Sequence, residues 1–232
     1  KTSSICKLLL LALMVRLFLI YFQYSGDVLN HLAWGRGTLE GLLGFYNKDF
    51  PGFNSPNYPP LTIYLFAFSS WLYQIVNQLI IFLNQFIKIF PSALVPLMET
   101  LNMQAAFLKL PAIFADLGIG WLIYRLSSKT LLSALYLFNP AVIYISTIWG
   151  QIESIPIFFI LLSLYFAINV KGRTLDMFLS HVFFTLAILS KQTALWLLPI
   201  FLVLWLKNRP FKTLLQGLTL QVAIFILLYL PF

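Results

Sequence analysis

The chain consists of long apolar runs separated by short polar segments, a pattern typical of helical membrane proteins. An α-helix rises about 1.5 Å per residue, so about 20 apolar residues are needed to cross about 30 Å of hydrocarbon. Seven runs approach this length, and we predict an all-α, polytopic membrane bundle with about seven transmembrane helices. The predicted spans are residues 7–24, 103–126, 130–148, 153–169, 175–189, 193–206 and 213–230.

A further apolar segment, residues 58–82, is long enough to be an eighth crossing. A single crossing here would place most later basic residues on the side opposite Lys1 and Lys7, which the orientation statistics of membrane proteins disfavour. Polar residues spread along the segment suit a helix that lies in the membrane interface, and this is the favoured interpretation. The alternative is a hairpin formed with residues 90–101.

This topology divides the chain into three regions. Residues 1–24 carry the first transmembrane helix, residues 25–102 form a long outer loop with interfacial helices, and residues 103–232 carry six further helices. Pro111 and Pro140 are predicted to kink their helices, because proline removes a backbone donor and clashes with the preceding turn. The sequence stops at the end of a helix, so we expect the membrane module to continue in a longer protein.

Composition supports the membrane assignment. Hydrophobic residues make up 60% of the 232 residues and charged residues only 9%, against about 25% charged residues in soluble domains. The net charge of +8 could suggest a nucleic-acid partner. The basic residues instead form short clusters at helix ends, as the positive-inside rule predicts, so we expect no nucleic acid. If the outer loop returns to the side where it left, nine basic residues share one side: Lys1, Lys7, Arg125, Lys129, Lys171, Arg173, Lys207, Arg209 and Lys212.

The candidate functional charges are predicted to lie on the opposite, outer side. Four ionisable residues each lie about 24 to 30 Å along a helix from a basic residue on the side of Lys1 and Lys7. They are Asp27, Glu153, Lys191 and Lys109. These four ionisable side chains therefore share one outer zone. Their convergence would make a site at the membrane surface.

Arg16 and Asp116 are predicted to lie deeper than the outer charges. Each is about 14 Å along its helix from a basic residue of the first side. Unpaired charge is costly within hydrocarbon, so the matched depth and opposite sign predict a structural ion pair inside the bundle.

Asp27 is the leading candidate for chemistry. It follows the first span directly, and His31 lies four residues later, on the same face of any helix that begins here. Trp34 extends that face and could support a sugar ring. The alternative is that Asp27 is an N-cap, since aspartate before a helix accepts hydrogen bonds from its first free N–H groups.

Two further outer turns carry candidate ligands. Trp149, Gln151 and Glu153 occur together between two apolar spans; their alternative roles are an interfacial tryptophan anchor and a glutamate that complements a helix N-terminus. Lys191 lies on the outer side against the prevailing charge rule, which suggests an anion ligand. Its alternative role is a lysine that snorkels to the interface.

An ordered set of short motifs extends over nearly the whole chain: Gly26-Asp27, Asn57-Tyr58-Pro59-Pro60-Leu61, Lys109-Leu110-Pro111 with Asp116, Phe138-Asn139-Pro140, Trp149-Gly150-Gln151-Ile152-Glu153-Ser154 and Ser190-Lys191-Gln192. This set resembles the GT-C integral-membrane glycosyltransferases, especially dolichyl-phosphate-glucose-dependent glucosyltransferases and related polyprenyl-phosphate-sugar mannosyltransferases. Two features depart from the pattern: Glu153 stands where many relatives have Asp, and no Asp-x-Asp follows Gly26, which weakens any metal assignment.

The resemblance implies an inverting hexosyltransferase. We expect no cofactor and, since no Asp-x-Asp follows Gly26, no metal. The donor would be a polyprenyl-phosphate sugar and the acceptor a hydroxyl, on a lipid-linked or other glycan, at the lumenal face of the endoplasmic reticulum or the periplasmic face of a bacterial inner membrane. Rival interpretations are a lipid or sugar transporter or flippase, and a non-catalytic membrane subunit. In the transferase interpretation Asp27 is the base, Lys191 and Lys109 hold phosphate, and the pocket is lined by Glu153, Gln151, Trp149, Tyr58 and His31.

Overall fold

The fold is known from a computed structural model, which describes residues 2–168, 174–208 and 210–232. Four of the basic residues used to predict the topology, Lys1, Lys171, Arg173 and Arg209, lie outside these ranges. The described residues form helices and no strands. The helices are α1 (Thr2–Leu19), α2 (Gly26–Glu40), α3 (Pro60–Phe86), α4 (Leu94–Glu99), α5 (Leu101–Ser127), α6 (Thr130–Leu137), α7 (Pro140–Ile143), α8 (Ser154–Ile168), α9 (Thr174–Ser190), α10 (Leu198–Asn208) and α11 (Phe211–Tyr229). A 3₁₀ turn covers Phe45–Asn47, a π-helix continues α7 over Tyr144–Trp149, and a second 3₁₀ helix covers Gln192–Leu197.

Within the described residues, three helices are long and apolar enough to cross a membrane: α3, α5 and α11. A fourth candidate is the pair formed by α6 and the helix Pro140–Trp149, which meet at an angle of 49°. The chain is therefore a helical membrane protein. The break between the pair lies at the predicted proline, where the Asn139 side chain accepts a hydrogen bond from the N–H of Ala141 at 2.9 Å and so caps a new helix.

The first helix ends at Leu19, several residues before the predicted boundary at residue 24. The carbonyl groups that follow it are bound by side chains of α5. Lys109 Nζ donates to the carbonyl oxygens of Ile20, at 2.9 Å, and of Gln23. Asn102 Nδ2 donates to the carbonyl of Tyr21 at 2.7 Å. Because distant donors satisfy these carbonyls, the chain leaves the helix early without exposing unpaired backbone groups.

Helix α3 begins at Pro60, directly after the N-cap residue Pro59, because the first turn of a helix needs no N–H from a proline. After its end the chain folds back, and α4 packs against it: the Tyr73 hydroxyl donates to the carbonyl of Met98 at 3.0 Å. The segment thus forms a helical hairpin with residues near 90–101. Its position within the interface or across the bilayer stays a prediction, since length and composition alone also permit crossing.

The remaining helices run back and forth between two ends of the molecule. At one end the Arg125 guanidinium, near the end of α5, donates to the Tyr165 hydroxyl near the end of α8 at 3.3 Å. At the other end the start of α8 meets the end of α9, where Lys191 and Glu153 form an ion pair at 2.7 Å. We call this second end the site end. It is defined by Ser25, the turn 149–153 and Lys191.

Candidate active site

Asp27 lies in the first turn of α2, and its side chain is exposed at the site end. Ser25 occupies the N-cap position in an extended conformation and makes no side-chain cap bond, so the N-cap interpretation of Asp27 is wrong. The Asp27 carboxylate instead accepts a hydrogen bond at Oδ2 from Gln151 Nε2 at 2.9 Å. An exposed carboxylate held by a neutral amide is available for a substrate proton.

The turn that carries Gln151 is pressed against the start of α2. The N–H of Ser25 donates to the carbonyl of Trp149 at 2.9 Å, which joins the two segments directly. Gly150 adopts a left-handed conformation with φ of 83°. A Cβ at this position would lie 2.7 Å from Val28 Cγ2 and 3.1 Å from Lys109 Cε. Glycine is thus required twice here, for its backbone conformation and for the close approach that brings Gln151 to Asp27.

The predicted deep pair of Arg16 and Asp116 is present, and it also anchors this turn. Arg16 Nε lies 3.5 Å from Asp116 Oδ2, and both side chains are fully buried. The Asp116 carboxylate also accepts from the hydroxyl of Tyr136 at 2.9 Å, and from those of Ser146 and Ser154 at 2.5 Å each. Ser146 precedes the turn 149–153 and Ser154 follows it. One buried carboxylate therefore clamps both ends of the turn that presents the outer ligands.

Only part of the buried network around Asp116 was predicted from the sequence. Charge and depth indicated Arg16 and Asp116, but Tyr136, Ser146 and Ser154 were missed. The available signal was the placement of two serines in otherwise apolar segments on either side of a polar turn. Hydroxyl groups in such segments commonly hydrogen-bond across helices.

Lys191 and Glu153 form the charged part of the site. Lys191 Nζ donates to both carboxylate oxygens of Glu153 at 2.7 Å. The two side chains remain 23% and 42% exposed, so solvent and solutes reach the pair. Thr62 holds the end of α9 in place by donating to the carbonyl of Ser190 at 2.6 Å. The lysine is thus a partly exposed cation that emerges from an anchored turn.

The Tyr58 side chain lies beside this ion pair. Lys191 Nζ lies 5.9 Å from the centre of its ring, within reach of a cation–π contact. Burial, followed by the charges of Glu153 and Asp27, raises the pKa of Tyr58 to about 12. The hydroxyl therefore stays protonated at physiological pH and can serve as a neutral hydrogen-bond donor.

The expected pocket-lining role of His31 requires correction. Its side chain is only 1% exposed and stacks on Phe66, with ring centres 4.5 Å apart and planes at 17°. Tyr58 covers it from another side at 5.4 Å. Burial lowers the pKa of His31 to about 4, an effect that the Asp27 charge opposes and the Lys191 charge reinforces. His31 is thus a neutral residue in the floor beneath the site.

Two other outer residues are also placed differently from the prediction. Trp34 is buried and donates its indole N–H to the carbonyl of Asn54 at 2.7 Å, so it is no open platform for a sugar. Lys109 is buried and directs its ammonium toward the carbonyls after α1. Its position makes it a cap for the C-terminal end of α1, where cations are favoured, and not an exposed phosphate ligand.

Trp149 stays at the surface and stacks on Tyr144 with ring centres 5.8 Å apart. The structure thus brings together Asp27, Gln151, Glu153, Lys191 and Tyr58, with Trp149 at the margin. Within the described ranges, no three or more histidine, cysteine or acidic side chains are grouped so as to hold a metal ion.

No protein-family model matches the chain, and no curated protein matches it. Function is therefore inferred from the geometry at the site end.

Proposed function

We propose that the protein is an inverting GT-C type hexosyltransferase that moves glucose or mannose from a polyprenyl-phosphate sugar to an acceptor hydroxyl. The observation that supports this most directly is that an exposed carboxylate, Asp27, and a partly exposed cation, Lys191, both contact side chains of one short turn, residues 149–153. Transfer from a phosphate-linked sugar needs these two functions: a base for the acceptor and positive charge for the leaving phosphate.

Asp27 is the proposed base. Its Oδ2 is held by Gln151, so Oδ1 is the oxygen expected to take the acceptor proton. The acceptor oxygen then forms a bond to the anomeric carbon as the bond between that carbon and the phosphate oxygen breaks. The electron pair of the broken bond leaves with the polyprenyl phosphate. A single base and an external nucleophile that attacks from the face opposite the leaving phosphate give inversion of the anomeric centre.

Lys191 is the proposed ligand of the leaving phosphate. Its contact with Glu153 is at the surface, and exposed ion pairs contribute only about 0 to 1 kcal/mol. A phosphate can therefore replace the glutamate at little cost. Once released, the Glu153 carboxylate can accept hydrogen bonds from sugar hydroxyls. Tyr58 and Gln151 supply neutral donors beside it.

The membrane arrangement is part of the proposal. Seven helical runs would cross the bilayer, with the site end at the lumenal or periplasmic surface. This is supported by the basic residues Arg125 and Lys129, which lie at the turn between α5 and α6, away from the site end. The clustering of candidate ligands at one end suits an enzyme that takes lipid-linked substrates from the membrane surface.

The test is direct transfer. The purified chain in a lipid bilayer would be incubated with radiolabelled polyprenyl-phosphate glucose or mannose and a lipid-linked glycan fraction. The proposal predicts label in the glycan fraction and a product anomer opposite to that of the donor. The proposal would be refuted by a product with the anomeric configuration of the donor. It would also be refuted if no label were transferred from either the glucose or the mannose donor.

A further inference from the structure

A second cleft lies next to the candidate active site, bounded on one side by Tyr58. Its volume is about 390 Å³, within the range of about 300 to 1,000 Å³ common for small-molecule sites. The chemistry of its walls is distinct from that of the charged pair. The lining residues are Tyr46, Pro56, Asn57, Tyr58, Pro59, Ile188, Gln192, Phe225 and Tyr229.

We propose that this cleft, here called the tyrosine cleft, binds one uncharged hexose residue of a substrate. The described residues that line it include aromatic rings and carboxamides but no charged side chain. Aromatic faces cover the apolar C–H face of a pyranose, and carboxamides both donate and accept hydrogen bonds with its hydroxyls. The described lining residues offer a phosphate no cation. A neutral sugar, in contrast, can pack its C–H face on the aromatic rings and form hydrogen bonds from its hydroxyl groups to the carboxamides.

Three of the aromatic rings in the cleft form a stacked series, here called the platform. Phe225 and Tyr229 are nearly parallel, with ring centres 6.2 Å apart and planes at 6°. Tyr46 continues the series, 6.5 Å from Tyr229 at an angle of 29°. Asn57 and Gln192, both exposed, reach the cleft from the outer loop and from the turn after α9. A sugar on the platform would thus have carboxamides on two sides.

The platform is held in place before any ligand binds. The Tyr46 hydroxyl donates to the carbonyl of Tyr58 at 3.0 Å, which fixes its ring. Phe232 packs on Tyr46 with ring centres 5.2 Å apart, and its carbonyl accepts from the N–H of Gly44 at 2.8 Å. These contacts tie the end of α11 to the outer loop. A preformed surface of this kind lowers the ordering cost of binding.

The tyrosine cleft and the charged pair share one wall. The Tyr58 ring lines the cleft and lies 5.9 Å from Lys191 Nζ, and Gln192 follows Lys191 directly. A sugar in the cleft therefore belongs to a molecule that can reach the transfer site. The assignment to a substrate rests on the proposed function, but the binding of a neutral sugar can be measured without transfer. The hexose could belong to the acceptor glycan or to the donor.

Saturation-transfer NMR on the intact chain in lipid nanodiscs tests binding, with maltose and α-linked mannobiose as the probes. We expect signal transfer from the protein to at least one disaccharide. Gln192→Ala or Tyr229→Ala should weaken binding about five- to tenfold, the loss expected for one or two sugar contacts. Trp196→Ala is the matched control, because Trp196 is 83% exposed, lies in the same 3₁₀ helix as Gln192 and is outside the cleft. Absent signal, or equal loss in the Trp196 variant, would overturn the proposal.

Transfer kinetics then identify the source of the hexose and separate the two proposals. A higher KM for the acceptor alone in Gln192→Ala assigns the cleft to the acceptor glycan, and a higher KM for the donor alone assigns it to the donor sugar. Asp27-dependent transfer without disaccharide binding would overturn the cleft while the transferase stands. Disaccharide binding that the Gln192 variant weakens, with no transfer from any donor, would support the cleft and refute the transferase.

Discussion

Gln151 donates a hydrogen bond to the Asp27 carboxylate over 2.9 Å and so joins two segments that are far apart in the chain. This contact orients the proposed base. Gln151→Ala should lower kcat by about 10²-fold, the usual cost of misplacing a reacting group by about 1 Å. The KM for the donor should rise less than about tenfold, because only the sugar contact of Gln151 is lost and Lys191 still holds the phosphate. Steady-state transfer kinetics measure both constants, and an unchanged kcat would show that the amide does not position the base.

Gly150→Ala should disrupt the turn that presents Gln151. The left-handed backbone costs an alanine about 1 to 2 kcal/mol, and its Cβ would collide with Val28 at 2.7 Å, which adds about 1 to 3 kcal/mol of overpacking. Gly52→Ala is the matched control, because Gly52 has a φ of 82° and its new Cβ would meet no atom within 4 Å. Thermal unfolding in detergent should show a clearly larger loss for Gly150→Ala. Equal losses would mean that the close approach to Val28 contributes nothing.

The buried ion pair between Arg16 and Asp116 should contribute to the stability of the folded protein. Arg16→Leu leaves the buried carboxylate without its cation, and breaking a buried pair in this way costs about 3 to 5 kcal/mol. The double variant Arg16→Leu/Asp116→Asn removes both charges, keeps an acceptor oxygen for the neighbouring hydroxyl groups and should recover part of that loss. Thermal unfolding midpoints compare the three proteins. A double variant that is no more stable than Arg16→Leu would contradict the paired burial of the two charges.

His31 predicts a pH dependence of stability. Its pKa is about 4 in the folded protein, below the ordinary value of 6.5. Between these values the unfolded chain binds a proton that the folded chain excludes, so stability is full above pH 6.5 and falls as the pH approaches 4. The total effect is about 3 kcal/mol, at 1.36 kcal/mol per pKa unit.

His31→Phe keeps the aromatic packing and removes this titration. Thermal midpoints measured from pH 7 to pH 4.5 should fall less in the variant than in the unchanged chain. Contributions from other groups are common to both proteins and cancel in the comparison. Parallel curves would show that His31 does not titrate between the two states.

Long apolar runs predicted the helices well where charged turns delimit them. The segment predicted over 175–189 is a helix over Thr174–Ser190, and the one over 213–230 is a helix over Phe211–Tyr229. In both cases the ends of the apolar run coincide closely with the ends of the helix, because the run is about as long as a membrane crossing requires. The early end of α1 could not be predicted in this way, because it depends on Lys109, a donor that arrives from a distant helix.

Charge and depth assigned the outer ionisable residues to one end but did not distinguish their environments. Asp27, Glu153 and Lys191 remain accessible, whereas Lys109 is buried. Helical spacing placed His31 on the face of Asp27, yet it could not show that α3 would cover that face with Phe66. Side-chain exposure follows from packing between elements, which the spacing along one helix does not contain.

The central claim is that the Asp27 carboxylate accepts the acceptor proton, and single-turnover transfer by Asp27→Asn tests it most directly. Asn keeps the shape and the hydrogen-bonding reach of the side chain but cannot act as a base. Asp49→Asn is the matched control, since Asp49 is an exposed acid of the same outer loop that lies outside the proposed transfer site. The account predicts a fall of about 10² to 10⁴-fold in the rate for Asp27→Asn, with donor binding retained and with Asp49→Asn unchanged. A near-normal rate for Asp27→Asn would contradict it.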